Sequence, residues 1–143
     1  MNTRSIGWGI LGPGKIAHKF VADLARLDDA ALVAVGSRSQ ERAAAFAETY
    51  GALRAYGSYE ALMNDPDVDV IYVATPHPFH EEQTIAALQH GKAVLCEKPM
   101  AVNAQQVQAM IDAARAEGQF LMEAMWTRFL PVIDTVRAWL EAG

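Results

Sequence analysis

Short apolar runs alternate along this chain with segments whose apolar residues recur every three or four positions. The first run, 6–11, reads as a β-strand. After it, Ile16, Phe20, Val21, Leu24 and Leu27 fall on one helical stripe. A second run at 31–35 ends at Gly36-Ser37-Arg38. Ser39 is then an N-cap for a helix predicted to reach Tyr50, with Gly51 just past its end. Residues 53–56 suit a short third strand, and Ser58 opens a helical turn that stops before Asn64-Asp65-Pro66-Asp67. The run at 69–74 is β-branched and apolar on both faces, as a buried parallel strand requires. A helix over 79–90 stops at Gly91, and 93–96 forms the fifth strand. Asn103 and Gln106 have capping-box spacing for a helix to Glu117 that Gly118 closes. A last strand at 120–124 leads to a helix with Pro131 in its first turn.

Strands separated by crossover helices predict an α/β fold, a doubly wound parallel sheet of Rossmann type. The predicted elements occupy residues 1–143 as one domain, without a long linker, repeat or low-complexity segment. A net charge of −5 argues against a nucleic-acid surface, which needs clustered Lys and Arg. No apolar run approaches the roughly 18 residues of a membrane span. The single cysteine, Cys96, can form no disulfide within the chain, which fits a reducing compartment. These features predict a cytoplasmic protein with neither a nucleic-acid nor a membrane partner.

The first predicted strand runs into Gly12-Pro13-Gly14-Lys15-Ile16-Ala17, a G-x-G-x-x-A pattern. Small residues have separate tasks there. Gly12 permits the tight turn, Gly14 lets backbone approach a pyrophosphate, and Ala17 lets the helix sit close to the strand. The helix N-terminus adds unpaired N–H groups and partial positive charge. Following a strand and opening an amphipathic helix, the pattern predicts a dinucleotide site; in isolation it is a turn that needs glycine for its geometry.

NAD-preferring domains place Asp or Glu at the end of the second strand, on the adenosine 2′-hydroxyl. Here Ser37-Arg38-Ser39 stands in that place. A carboxylate repels a 2′-phosphate, whereas a guanidinium and two hydroxyls can bind one, so NADP(H) is expected over NAD(H).

Ligands of open α/β sheets lie beyond the carboxyl ends of the strands. Thr75-Pro76-His77-Pro78-Phe79-His80 follows the fourth strand and Glu97-Lys98-Pro99 the fifth. Lys98 is the candidate for proton transfer, since a lysine beside an oxidised nicotinamide and partly desolvated loses proton affinity. His77 and His80, with Glu81 alongside, have H-x-x-H spacing that raises a metal site. Two prolines and too few convergent ligands argue against it, so no metal is expected.

On these residues the chain resembles the glucose–fructose oxidoreductase / inositol dehydrogenase / MocA family over essentially its whole length. The resemblance is carried by Gly12-Pro13-Gly14-Lys15-Ile16-Ala17, Ala74-Thr75-Pro76 with His80, and Glu97-Lys98-Pro99-Met100. Gly36-Ser37-Arg38-Ser39 and the stretch from Glu123 through Trp126 and Arg128 to Pro131 resemble the branch of dimeric dihydrodiol dehydrogenases and NADP-dependent D-xylose dehydrogenases. The resemblance implies hydride transfer between NADP(H) and a hydroxyl or carbonyl carbon of a sugar or cyclic diol, with Lys98 catalytic. It further implies that Glu97 and Thr75-Pro76-His77 lie near the nicotinamide ribose, that His80 is also a cofactor contact, and that Trp126 and Arg128 lie beside the nicotinamide or substrate. Family enzymes carry a second α/β domain that holds substrate and mediates oligomerisation. That domain is expected to be absent from this chain, and the full-length form to be a homo-oligomer. The competing expectation is a non-catalytic NADP(H)-binding fragment or sensor module.

Overall fold

β1 (Ile6–Leu11) lies at the centre of a six-stranded sheet with β2 (Ala30–Gly36), β3 (Arg54–Tyr56), β4 (Val70–Val73), β5 (Ala93–Glu97) and β6 (Leu121–Ala124). The order is β3-β2-β1-β4-β5-β6 and every pairing is parallel. This is the predicted doubly wound Rossmann-type sheet. The computed structural model describes residues 5–143, so the first four residues of the predicted 1–143 domain lie outside it.

The connecting helices are α1 (Lys15–Leu24), α2 (Gln40–Tyr50), α3 (Tyr59–Met63), α4 (His80–Gln89) and α5 (Ala104–Glu117), and α6 (Pro131–Ala142) follows β6. Local chemistry sets their ends where the caps predicted. Ser39 accepts from the Arg42 N–H, Ser58 from that of Ala61 and Asn103 from that of Gln106. Gly51 and Gly118 close α2 and α5 in the left-handed conformation. The Gln106 side chain reaches back to the Val102 N–H, one residue earlier than a capping box places it.

Each sheet face carries its own core. On one, Leu62, Leu88 and Met110 from α3, α4 and α5 cover Ile71, Val73 and Val94. On the other, Val21 and Phe46 from α1 and α2 pack over Ile10, Val35 and Tyr72, with the Phe20 ring stacked 4.0 Å from that of Tyr72. Burial of one such aliphatic side chain is worth about 1.5–3 kcal/mol, so these two layers hold the sheet rigid beneath its loops. Cys96 is a buried free thiol, and burial pushes it up to about 12. It is an inert core residue.

The stripe predicted for the first helix needs correction. α1 ends at Leu24, which leaves Leu27 outside it and 54% exposed, while Ile16 is 41% exposed. Ala17 takes the buried position, because a helix this close to β1 admits only a small side chain there. α6 buries none of its residues, and Trp139 and Leu140 are exposed.

At the amino ends of the strands, buried Asp65 accepts two hydrogen bonds from Arg54, at 2.6 and 2.9 Å, and one from the Tyr56 hydroxyl at 3.0 Å. Burial alone would raise its carboxyl. The bonds from Arg54, the Asp67 N–H and Tyr56 outweigh that and hold it below the usual carboxylate range. A depressed folded pKa stabilises above the unfolded value and loses that contribution as pH falls through the folded one. Stability from this group should be constant from pH 7 to about 5 and decline below about pH 4. Asp65→Asn should cost about 2 kcal/mol, or about 6 °C in Tm, at pH 7 and progressively less at low pH. Melting curves across pH check this, and an equal deficit at pH 7 and pH 3 would overturn it.

Candidate functional site

The strand order reverses between β1 and β4, and their carboxyl ends open a crevice. The Gly12 N–H donates to the Gly36 carbonyl at 3.0 Å and the Ala74 N–H to that of Leu11 at 2.9 Å, so three strand ends meet there. Gly12 has φ +92°, and a Cβ on it would lie 2.7 Å from the Thr75 side chain. Gly14 is different. The nearest atom to a Cβ there is 3.7 Å away, so the fold itself leaves room for a side chain. What glycine preserves at position 14 is open space beside the N-terminus of α1. Gly14 caps that helix without any side-chain hydrogen bond, leaving the first-turn N–H groups of Lys15 and Ile16 available to an anion.

A cavity of about 490 Å³ joins this turn to the end of β2 and to Thr75 and Pro76 after β4. Its wall includes Arg38, Arg42 and Tyr59, and no Asp or Glu lines it. Ser37 is buried, its Oγ accepting from the Ser39 N–H at 3.2 Å. The Ser39 hydroxyl is spent on the cap of α2 and on Glu41. The cluster expected from sequence, one guanidinium with two hydroxyls, is thus two guanidiniums with the Ser37 hydroxyl. Arg42 escaped the sequence reading, although it stands four residues after Arg38, where a helix starting at 40 brings it to the same end. A smaller neighbouring cavity, about 260 Å³, runs between Arg38, Tyr59, Pro76 and Phe79, whose flat faces suit a planar ring.

The loop after β4 is tied down by its own side chains. Thr75 Oγ1 donates to Gln83 Oε1 at 2.5 Å. Pro76 and His77 are exposed at the rim, where His77 opens a 3-10 turn ahead of α4. His80 is the exception among the predicted cofactor contacts. It is fully buried, with Nε2 2.8 Å from the Thr75 carbonyl and Nδ1 3.0 Å from that of Pro99. With both nitrogens engaged beneath the loops it cannot touch a ligand in the crevice, which corrects its assignment as a cofactor contact. Among the described residues no group of three or more His, Cys, Asp and Glu side chains is placed to hold a metal ion.

After β5, Lys98 is exposed, so the described residues do not supply the partial desolvation expected for it. Glu97 is buried and turned to the α1 face of the sheet. One carboxylate oxygen takes the Tyr72 hydroxyl and the other the Lys98 N–H, at 3.1 Å. Burial, and then this carboxylate, push the Tyr72 phenol above its ordinary range. Glu97 therefore shapes its own loop and also lines, with Ile16 and Trp126, an apolar groove on the α1 side of the sheet. Glu123 on β6 accepts from the Met100 N–H at 2.8 Å, a contact between β6 and the loop after the neighbouring β5 that local sequence gives no sign of.

Trp126 and Arg128, expected together, occupy different cavities. Trp126 shares an apolar groove of about 490 Å³ with Ile16, Phe20 and Tyr72. Arg128 lines the β6 edge with Glu123, Asp134 and Arg137. They stand two apart in the 3-10 turn Trp126–Phe129, and its three-residue period sends them to different sides.

Residues 6–125 match the profile of an oxidoreductase family with an NAD-binding Rossmann fold, glucose–fructose oxidoreductase / inositol dehydrogenase / MocA. The chain is 50% identical over 136 residues to trans-1,2-dihydrobenzene-1,2-diol dehydrogenase of Xenopus tropicalis, an alignment covering 94% of this chain and 41% of that protein. It is 46% identical to the Mus musculus enzyme of the same name, over 97% of this chain and 42% of the relative. The chain thus spans about two-fifths of the length of these relatives. Among solved structures, a 3-ketoreductase from Actinomadura kijaniata in complex with TDP-benzene and NADP superposes with a TM-score of 0.92 at 32% identity. That match covers 98% of this chain and 44% of the other. No helix among the described residues is long and apolar enough to cross a membrane.

Proposed function

The chain belongs to the glucose–fructose oxidoreductase / inositol dehydrogenase / MocA oxidoreductase family, and on that premise we propose that it is the cofactor-binding domain of an NADP(H)-dependent dehydrogenase acting on a sugar or cyclic diol. The observation that carries this reading is one cavity in which a glycine turn faces two guanidiniums and no carboxylate. Gly12, Pro13 and Gly14, with the N–H groups of Lys15 and Ile16, would hold the pyrophosphate. Arg38, Arg42 and Ser37 would hold the 2′-phosphate, and Tyr59, Pro76 and Phe79 the adenine. The open space beside Gly14 fits such a group, because a side chain there would fill it without serving the fold. The relatives named as dihydrodiol dehydrogenases and the ketoreductase solved with NADP support the same cofactor and substrate class.

When bound, the nicotinamide supplies or accepts the hydride. Lys98 would give a proton to the carbonyl oxygen in reduction, or take the hydroxyl proton in oxidation. Thr75, Pro76 and His77 would lie near the nicotinamide ribose, Ile16 and Trp126 would supply apolar contacts at the nicotinamide end, and Arg128 a charged one toward substrate. A second α/β domain, as the family resemblance implies, is the proposed source of the remaining substrate contacts and of homo-oligomer formation. The single cysteine, a buried free thiol, supports a cytoplasmic setting. Titration of the chain with NADPH and NADH tests the cofactor assignment. NADPH should bind at least about tenfold tighter, which equals about 1.4 kcal/mol from the phosphate contacts. Equal or reversed affinities would overturn it.

A further inference from the structure

The loop carrying Lys98 is held at the backbone of three successive residues by side chains. Glu97 takes the Lys98 N–H, His80 lies on the Pro99 carbonyl, and Glu123 takes the Met100 N–H. Of these, only His80 also reaches the other loop of the crevice, at the Thr75 carbonyl. Both of its partners are carbonyl oxygens, so the ring stands between one acceptor on each loop. Full burial excludes water as a substitute partner.

We propose that His80 is a positioning residue that sets the spacing between the Thr75 loop and the Lys98 loop, and through it the nicotinamide end of the site. The proposal rests on the cofactor reading above. The ring is a short rigid strut, 2.8 Å from one carbonyl and 3.0 Å from the other. Glu123 fixes the far side of the Lys98 loop, so the loop can move toward or away from Thr75 only by breaking a His80 contact. The phosphate end shares Thr75 and Pro76 with the near side of the strut, while its guanidiniums, Arg38 and Arg42, stand after β2 and on α2, away from the Pro99 contact.

His80→Gln places an amide nitrogen near the Nε2 position, keeping the Thr75 contact and losing that with Pro99. In this variant NADPH affinity should fall about tenfold, the loss of one buried hydrogen bond. The affinity for adenosine 2′,5′-bisphosphate, which reports the Arg38 end alone, should stay within about twofold. A residue needed only for folding would weaken both ligands together, and that result overturns the proposal, as does unchanged NADPH binding. A crystal structure of the wild-type chain keeps the geometry testable if the variant fails to fold. The His80 ring is expected within hydrogen-bonding distance of both carbonyls, and a ring turned away from either one overturns the strut. Should the wild-type chain bind neither ligand, the cofactor reading falls, and the crystal structure still decides whether the two-sided contact exists.

Discussion

Arg38→Asp should weaken NADPH binding about a hundredfold while changing NADH affinity less than about threefold. The guanidinium can meet a phosphate through two parallel charge-assisted hydrogen bonds, each stronger than a neutral one. Aspartate removes both and sets a negative charge against a dianion. For NADH the exchange is nearly neutral, since a carboxylate at the end of the second strand can accept from the free 2′-hydroxyl. Arg38 is exposed, so the substitution leaves the core intact and melting should stay within about 1 °C. Arg42 should share the load, with Arg42→Ala costing NADPH about tenfold. Isothermal titration at one fixed salt concentration measures these differences, because screening weakens every phosphate contact. Equal losses for both cofactors would end the assignment of Arg38 to the 2′-phosphate.

The second large effect is expected at Lys98. In the enzyme carrying this domain, Lys98→Met should lower kcat about a thousandfold, within the range that general acid–base groups contribute. Affinity for NADPH should remain within about threefold, since the pyrophosphate and 2′-phosphate contacts lie elsewhere in the crevice. The side chain is exposed and Glu97, His80 and Glu123 hold the loop by neighbouring backbone atoms, so the loop should keep its shape without the ammonium group. Single-turnover measurements with a cyclic vicinal diol, together with cofactor titration, separate chemistry from binding. Turnover within tenfold of wild type would remove Lys98 from the proton-transfer step.

These expectations differ in how far the sequence alone could have supported them. Gly12, Gly14 and Ala17 announce their roles locally, since a strand, a tight turn and a close helix each require a small residue at a fixed offset. Arg38 is legible for the same reason, standing at the end of a strand that the apolar pattern marks. Ser39 was legible as a cap but not as a group lost to phosphate binding, because a hydroxyl already bonded to Arg42 N–H and Glu41 has little left to offer. Glu97 and His80 show the opposite case. Both stand beside loops expected to carry chemistry, Glu97 ending β5 and His80 opening α4, yet their polar atoms are engaged by Tyr72, Lys98, Thr75 and Pro99.

Period and punctuation along the chain determined the doubly wound sheet, the helix caps and the glycine turn, because each depends on neighbours within a few residues. Only the tertiary structure decided which side chains face the crevice. Arg42 beside Arg38 follows from helix phase at the end of β2. Trp126 and Arg128 part company because a 3-10 turn sends them to different sides. His80 and Glu123 meet one loop across 19 and 23 residues of sequence, contacts created when β4, β5 and β6 come into register. Contacts of that range depend on the packed sheet, and no local pattern of apolar and polar residues encodes them.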